Sequence, residues 1–221
     1  MTEIEIIDMS KNIKSNHILE HVNMKLAAGN IYGFRGKNGC GKTMLMRCIC
    51  GLIMPTTGKV MINGKELHKD IAIPQSIGAL IENPSFLPQY TGYHNLKMLA
   101  SLTGRIKAED IKLALKRVGL DPEDKRAYRK YSLGMKQKLG IANAIMGEPD
   151  IIILDEPINA LDEESVKKVK DVLQELKEKG KLIIIACHDK EELEYLANII
   201  YTIKNGRVMG TEMENENNKA L

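Results

Sequence analysis

Residues 36–43 match the pattern G-x-x-x-x-G-K-[ST], which is typical of loops that bind nucleotide phosphates. Glycines in such a loop let successive backbone N–H groups turn toward phosphate oxygens, and the helix that follows adds free N–H donors. We expect Lys42 to reach the β- and γ-phosphates and the Thr43 hydroxyl to ligate Mg²⁺. A plain glycine turn with a solvated lysine is the alternative. The predicted nucleotide-binding residues of this loop are Gly36, Lys37, Asn38, Gly39, Cys40, Gly41, Lys42 and Thr43.

Two adjacent carboxylates, Asp155 and Glu156, follow the apolar residues 151–154. Ligands of parallel sheets gather at the carboxyl ends of the strands, so we expect this pair at the ligand-binding edge. Asp155 suits a grip on Mg²⁺, and Glu156 could orient or deprotonate an attacking water. The alternative is an acidic cap on a helix after the strand, although two carboxylates so close repel without a metal or a hydrogen-bond donor.

His188 follows the apolar residues 182–187 and so also falls at the end of a predicted strand. A single histidine is often only structural. Here the strand order would bring it to the same edge as Asp155 and Glu156, where an imidazole could contact a γ-phosphate. We therefore include Glu156 and His188 as candidate catalytic residues.

Strand and helix patterns surround these candidates in an order that predicts an α/β fold. Period-two alternation at residues 4–6 and 22–26 predicts half-exposed strands, and the nearly continuous apolar residues 31–34 predict a buried one. Residues 151–154 and 182–186 predict two apolar strands, and the residues between them predict a helix that has one apolar face and ends at Gly180. This order predicts a parallel strand–helix–strand unit. Residues 199–209 predict a closing hairpin.

Helical patterns replace strand patterns from about residue 85 to residue 147, for example at Ile111, Ala114, Leu115 and Val118. We therefore predict a single domain over residues 1–221. In this prediction residues 1–84 and 150–211 form the catalytic core, residues 85–149 an inserted helical subdomain, and residues 212–221 a frayed, polar tail.

The composition excludes several classes of protein. A hydrophobic content of 43% is enough for a core, and a net charge of +3 does not indicate a nucleic-acid partner. No apolar run approaches the roughly 18 residues of a membrane span, and no signal peptide is evident, so we expect a soluble, intracellular chain. The four cysteines lack a CxxC spacing and are expected to be reduced and mostly buried.

In their order and spacing, these segments resemble the ATP-binding subunits of ABC transporters. Residues 36–43 are similar to the family's Walker A motif, residues 151–156 to Walker B, residues 159–162 to the D-loop, and His188 to the switch histidine. The resemblance implies a P-loop NTPase (RecA-like) core with an N-terminal antiparallel β-subdomain and an inserted α-helical subdomain. It covers about residues 1–210.

Residues 131–135 lie where the family carries its LSGGQ signature. Ser132 can cap the helix that follows, which leaves a hydroxyl, backbone N–H groups and a helix dipole to face an anion. By itself the segment could equally be a serine-capped surface helix. The resemblance implies a head-to-tail dimer in which Ser132 and Gly134 contact the γ-phosphate bound by the opposite subunit.

The chain departs from the family pattern at three places. The aromatic that commonly stacks on adenine corresponds to Ile13, so adenine recognition is expected to be weak or to come from elsewhere. Glu82 stands at the Q-loop glutamine and is a candidate Mg²⁺ ligand, since a carboxylate suits a hard cation. Leu133 and Met135 replace a glycine and a glutamine of the signature. Residues 77–84 and 132–137 resemble the bacitracin and lantibiotic export or immunity branch.

The predicted function is Mg²⁺-dependent ATP hydrolysis by a homodimer or a paired ATPase subunit, which powers solute export by a separate transmembrane permease. The chain would lie in the cytoplasm, peripheral to the inner face of the cell membrane, with the permease docked near residues 82–93. The alternatives are another P-loop enzyme, a soluble ABC-type ATPase without a transport role, and an ATP-dependent clamp that scarcely hydrolyses. A GTPase would require an N-K-x-D motif, which the sequence lacks.

Overall fold

The computed structural model describes residues 1–82 and 84–213. Its strands are β1 (Glu3–Ile13), β2 (Asn16–Ala27), β3 (Asn30–Arg35), β4 (Thr57–Ile62), β5 (Lys65–Glu66), β6 (Ile77–Leu80), β7 (Ile151–Asp155), β8 (Leu182–Cys187), β9 (Ile199–Lys204) and β10 (Arg207–Met213). Its helices are α1 (Lys42–Ile49), α2 (Gly92–Thr103), α3 (Ala108–Arg117), α4 (Leu133–Ile145), α5 (Glu163–Glu178) and α6 (Lys190–Leu196), with a 3₁₀ turn at Tyr128–Lys130. Of the predicted frayed tail, residues 212 and 213 belong to β10, and residues 214–221 lie outside the described residues.

The larger sheet has six strands in the order β10-β9-β3-β8-β7-β6. All neighbouring strands run parallel except β10, which pairs antiparallel with β9. Every residue of β7 and β8 is buried, as expected for parallel strands covered on both faces. In register, Asp155 lies beside Ala186, and Arg35 lies beside Cys187. The loops after β3, β7 and β8 therefore leave the sheet at one common edge.

The smaller sheet is antiparallel, with the strand order β2-β1-β4-β5. Its alternating inner side chains, such as Ile4, Ile6 and Leu26, are buried against the outer face of the large sheet and against α1. This packing holds the start of α1 between the two sheets. The structure confirms the predicted α/β architecture, with an antiparallel β region and an inserted helical region.

Helices α2, α3 and α4 form the helical region, and the structure has no strand between residues 84 and 150. Leu96, Ile111, Leu115 and Leu139 are all buried in the same apolar cluster. That cluster also contains Ile152 and Leu154 of β7, so α4 packs on the sheet as well as on α2 and α3. The exact division between core and helical subdomain stays a prediction.

The longest described helix is α5, with 16 residues. Within residues 1–82 and 84–213, none of the helices combines the length and the hydrophobicity that a bilayer span requires.

Candidate functional site

The glycine-rich loop joins β3, the third strand of the large sheet, to α1. Gly39 and Gly41 have positive φ angles of 77° and 111°, which side chains rarely tolerate. A Cβ atom on Gly41 would also lie 2.8 Å from Leu19 Cδ2 and 3.0 Å from the Ile18 carbonyl oxygen. The loop therefore depends on glycine at this position, and Gly41, the N-cap of α1, leaves the first turn of the helix without a side-chain cap.

Lys42 opens α1 and is 6% exposed. Its ammonium donates to the Gly36 carbonyl at 2.6 Å and to the Lys37 carbonyl at 3.4 Å, so the side chain curls back along its own loop. A cation held in this way is a fixed positive charge inside the concave loop. It suits the phosphate contact that the sequence predicts for it.

The Thr43 hydroxyl donates to Asp155 Oδ2 at 2.7 Å, which joins the glycine-rich loop to the end of β7. Burial raises the pKa of Asp155 above its ordinary value of 3.8, and the nearby charges of Glu156 and Glu82 raise it further, while the Thr43 hydrogen bond and the charge of Lys42 lower it. A carboxylate in this setting is poorly compensated. It would gain from a cation beside it, and oxygen ligands of this kind are those that Mg²⁺ prefers.

Glu156 and His188 lie in contact at this edge, with Glu156 Oε2 2.9 Å from His188 Nδ1. The hydrogen bond with Glu156 and the charge of Glu156 raise the pKa of the imidazole above 6.5. Glu156 has a φ of 50°, an uncommon conformation for a residue with a Cβ atom, and its N–H donates to the Ala186 carbonyl at 2.9 Å. The carboxylate therefore stands on a constrained turn, with an imidazole as its partner.

A cavity of 590 Å³ opens between these elements. Eight predicted site residues line it: Asn38, Gly39, Gly41, Lys42, Thr43, Glu82, Asp155 and Glu156. The remaining predicted site residues do not line it: Gly36, Lys37, Cys40, Ser132, Gly134 and His188. The structure thus brings the loop and the acidic pair to one cavity, and His188 reaches them through its contact with Glu156.

Four cavity-lining residues were not predicted as site residues: Ile18, Met44, Gln137 and Asn159. Asn159 falls within the segment that resembles the D-loop, and Gln137 lies two residues after the segment that resembles the signature; these resemblances were the available signal for both residues. Ile18 lies near the start of β2, whereas Ile13, the expected base-stacking position, is 44% exposed and does not line the cavity. Among the described residues that line the cavity, none is aromatic.

Glu82 follows β6 in a left-handed conformation, with a φ of 61°. Its carboxylate accepts from the Arg47 guanidinium at 2.7 Å while the residue lines the cavity. Glu82 is therefore near the predicted metal position, but an arginine already neutralises it. Its role as a metal ligand stays a prediction.

Ser132 caps α4, and its hydroxyl accepts from the Met135 N–H at 3.2 Å. Gly134, in the first turn, lies against the loop after β7, because an added Cβ would be 2.8 Å from the Ala160 carbonyl oxygen. The predicted helix cap is present. Neither residue lines the cavity of its own chain.

Comparison with known proteins gives a consistent result. The family model described as ABC transporter matches residues 19–159. The uncharacterized ABC transporter ATP-binding protein YybJ of Bacillus subtilis (strain 168) is 44% identical over 209 residues, which cover 95% of this chain and 96% of that protein.

Two relatives carry more specific names. The bacitracin transport ATP-binding protein BcrA of Enterococcus faecalis is 38% identical, over 93% of this chain and 68% of that protein. The lantibiotic transport ATP-binding protein SrtF of Streptococcus pyogenes is 34% identical, over 93% of this chain and 89% of that protein. Among solved structures, an ATP-binding subunit of an ABC transporter superposes with a TM-score of 0.86 at 27% identity, over 95% of this chain and 89% of that one.

Proposed function

The chain belongs to the ABC transporter family as an ATP-binding subunit with ATPase activity, and from this premise we propose that it hydrolyses Mg²⁺-ATP in a head-to-tail dimer to drive export through a separate membrane subunit. The observation that carries the proposal is the Thr43–Asp155 hydrogen bond beside the Glu156–His188 pair. It supports the proposal, because hydroxyl and carboxylate oxygens suit a hard cation and a neighbouring carboxylate suits work on a water.

The residues of the glycine-rich loop would hold the triphosphate. Backbone N–H groups of the loop and of the first turn of α1 would bind phosphate oxygens, and the Lys42 ammonium would exchange its carbonyl partners for the β- and γ-phosphates. Thr43 and Asp155 would hold Mg²⁺, with Glu82 as a further candidate ligand. Mg²⁺ held by these residues would supply positive charge that offsets the negative charge of the phosphates during transfer.

Glu156 would orient or deprotonate the attacking water, and His188 would contact the γ-phosphate. The 2.9 Å contact between them supports a joint role, because each group fixes the direction of the other. As the carboxylate raises the imidazole pKa, the protonated form of His188, which attracts a phosphate, is favoured.

Ser132 and Gly134 would act on a second copy of the chain. They stand at the start of α4, where the helix N-terminus favours an anion, and they do not line their own cavity. This placement supports a composite site, in which the signature of one subunit completes the phosphate site of the other.

The permease would dock near residues 82–93. Leu87 and Tyr90 in this segment are 47% and 42% exposed, and exposed apolar side chains of this kind favour a protein partner. Through this contact the chain would lie at the inner face of the cell membrane. Its net charge of +3 gives no reason to expect a nucleic-acid partner.

The transported solute would be a peptide antibiotic. Support comes from the printed functions of BcrA and SrtF, bacitracin transport and lantibiotic transport. The test is expression of the chain together with a candidate membrane subunit from the same genome in a sensitive bacterium. We expect the minimal inhibitory concentration of bacitracin or of a lantibiotic to rise, and the E156Q variant to abolish the rise. An equal rise with E156Q would contradict a role for ATP hydrolysis, and no rise for either class would contradict the proposed solute.

A further inference from the structure

Gln137, in the second turn of α4, is 8% exposed and lines the cavity. Its side-chain amide donates to the Glu156 carbonyl oxygen at 2.8 Å and to the Pro157 carbonyl oxygen at 3.1 Å. Two carbonyl acceptors require two N–H donors, which fixes the orientation of the amide. Both donors of this buried side chain therefore hold the turn that follows β7.

This turn needs support because its backbone is strained. The φ of 50° at Glu156 lies in the left-handed region, which is strained for a residue with a side chain. Pro157 has no N–H group, so it cannot hold the turn by donating a backbone hydrogen bond. The Glu156 carbonyl accepts from the Asn159 N–H only at 3.4 Å, whereas its bond from Gln137 is 2.8 Å long.

We propose that Gln137 is a positioning residue for ATP hydrolysis, which holds the backbone of Glu156 and Pro157 so that the Glu156 carboxylate points to the reacting water. The inference rests on the proposed function, in which Glu156 acts on that water. A displacement of about 1 Å at such a group is enough to slow a reaction on the order of 100-fold.

The test compares Q137M with the wild-type protein. Methionine keeps a similar volume but has no donor, so it separates hydrogen bonding from packing. We expect kcat to fall about 10- to 100-fold, because the carboxylate loses its alignment. We expect ATP affinity to stay within about threefold, because Lys42 and the glycine-rich loop are untouched.

The matched control is N143A, which changes a half-buried residue of the same helix and should retain wild-type kinetics. If Q137M melts well below the wild-type protein, Q137L provides the decisive comparison, since leucine is smaller and apolar and also has no donor. Turnover by these variants within twofold of wild type would overturn the inference and leave the proposed function intact. Equal losses of ATP affinity and kcat would also overturn it. Absence of turnover in the wild-type protein would instead overturn the proposed function.

Discussion

Asp155 and Lys42 carry opposite charges and line the same cavity, and both residues are buried. The lysine is satisfied by two backbone carbonyls, and the carboxylate by a single hydroxyl. A ligand that brings an anion to Lys42 and a cation to Asp155 would therefore give both side chains stronger contacts than the chain alone provides.

Lys42→Ala should weaken ATP binding about 10- to 100-fold, because a charge-assisted contact with the phosphates is lost. Calorimetric titration of the purified variant with Mg²⁺ and ATP measures the change. Lys65→Ala, an exposed lysine of the smaller sheet, is the matched control. Equal ATP affinity for Lys42→Ala and the wild-type protein would contradict the phosphate contact.

Mg²⁺ binding to the ATP-loaded protein should strengthen as the pH rises through the pKa of Asp155. Because burial and neighbouring carboxylates raise that pKa, protons compete with the metal at a higher pH than they would at an ordinary aspartate. Titration of Mg²⁺ against the nucleotide-loaded protein at a series of pH values tests this. The D155N variant should bind Mg²⁺ more weakly, and the pH dependence that comes from Asp155 should be absent. If the Mg²⁺ affinity of D155N changed with pH just as that of the wild-type protein does, Asp155 would be excluded as a ligand.

The sequence predicts these side chains better than it predicts their contacts. The glycine-rich loop and the acidic pair are local patterns, and the strand order alone brings them to one edge. The Thr43–Asp155 bond joins residues 112 positions apart, so only the folded sheet reveals it. The Arg47 partner of Glu82 and the bonds of Gln137 were missed for the same reason, and the catalytic and binding roles of the predicted residues stay predictions.

Among the elements, β6 and α4 determine where the helical region meets the core. Gly78 of β6 lies so close to α4 that an added Cβ would collide with the Ala144 carbonyl, and Gly140 of α4 leaves room for Leu80 and Pro84. The close approach of strand and helix places Gln137 beside the turn after β7.

Gly78→Ala should lower the free energy of unfolding by about 1–3 kcal/mol, because the backbone of α4 must move to admit the methyl group. Denaturant titration measures the loss, and turnover should fall with it as α4 shifts. Gly210→Ala, where no atom lies within 4 Å of the added Cβ, is the matched control. Unchanged stability for Gly78→Ala would mean that this packing does not hold α4.

The elements that the sequence did not reveal are the short ones. Strand β6 has four residues, two of them Gly78 and Ala79, and it pairs with β7 alone at the edge of the sheet. A strand so short, with two small side chains, has no clear alternation. Helix α6 has seven residues and depends on its cap, in which Asp189 accepts from the Glu192 N–H at 3.0 Å. By contrast, the long helix α5 and the buried strands β7 and β8 were evident from their apolar patterns.

At the scale of the whole molecule, the cavity with the glycine-rich loop and the residues at the start of α4 lie on different parts of one chain. The parallel sheet brings the ends of β3, β7 and β8 together around the cavity, and the helical region carries Ser132 and Gly134 at a separate position. One chain thus carries the glycine-rich loop with the acidic pair in one region and, in another, the N-terminus of α4, to which we assign the binding of an anion. In the proposed head-to-tail dimer, these two parts of neighbouring copies would form one site.

The mass of the E156Q variant with Mg²⁺ and ATP, measured by light scattering, tests this account most directly. The amide removes the group that acts on water but leaves the phosphate loop intact, so ATP should bind, turnover should be lost, and the mass should double from that of the 24.7 kDa chain. E178Q, an exposed glutamate at the end of α5, should keep wild-type turnover. An E156Q variant that hydrolyses ATP at the wild-type rate, or that binds ATP and remains a monomer, would contradict the account.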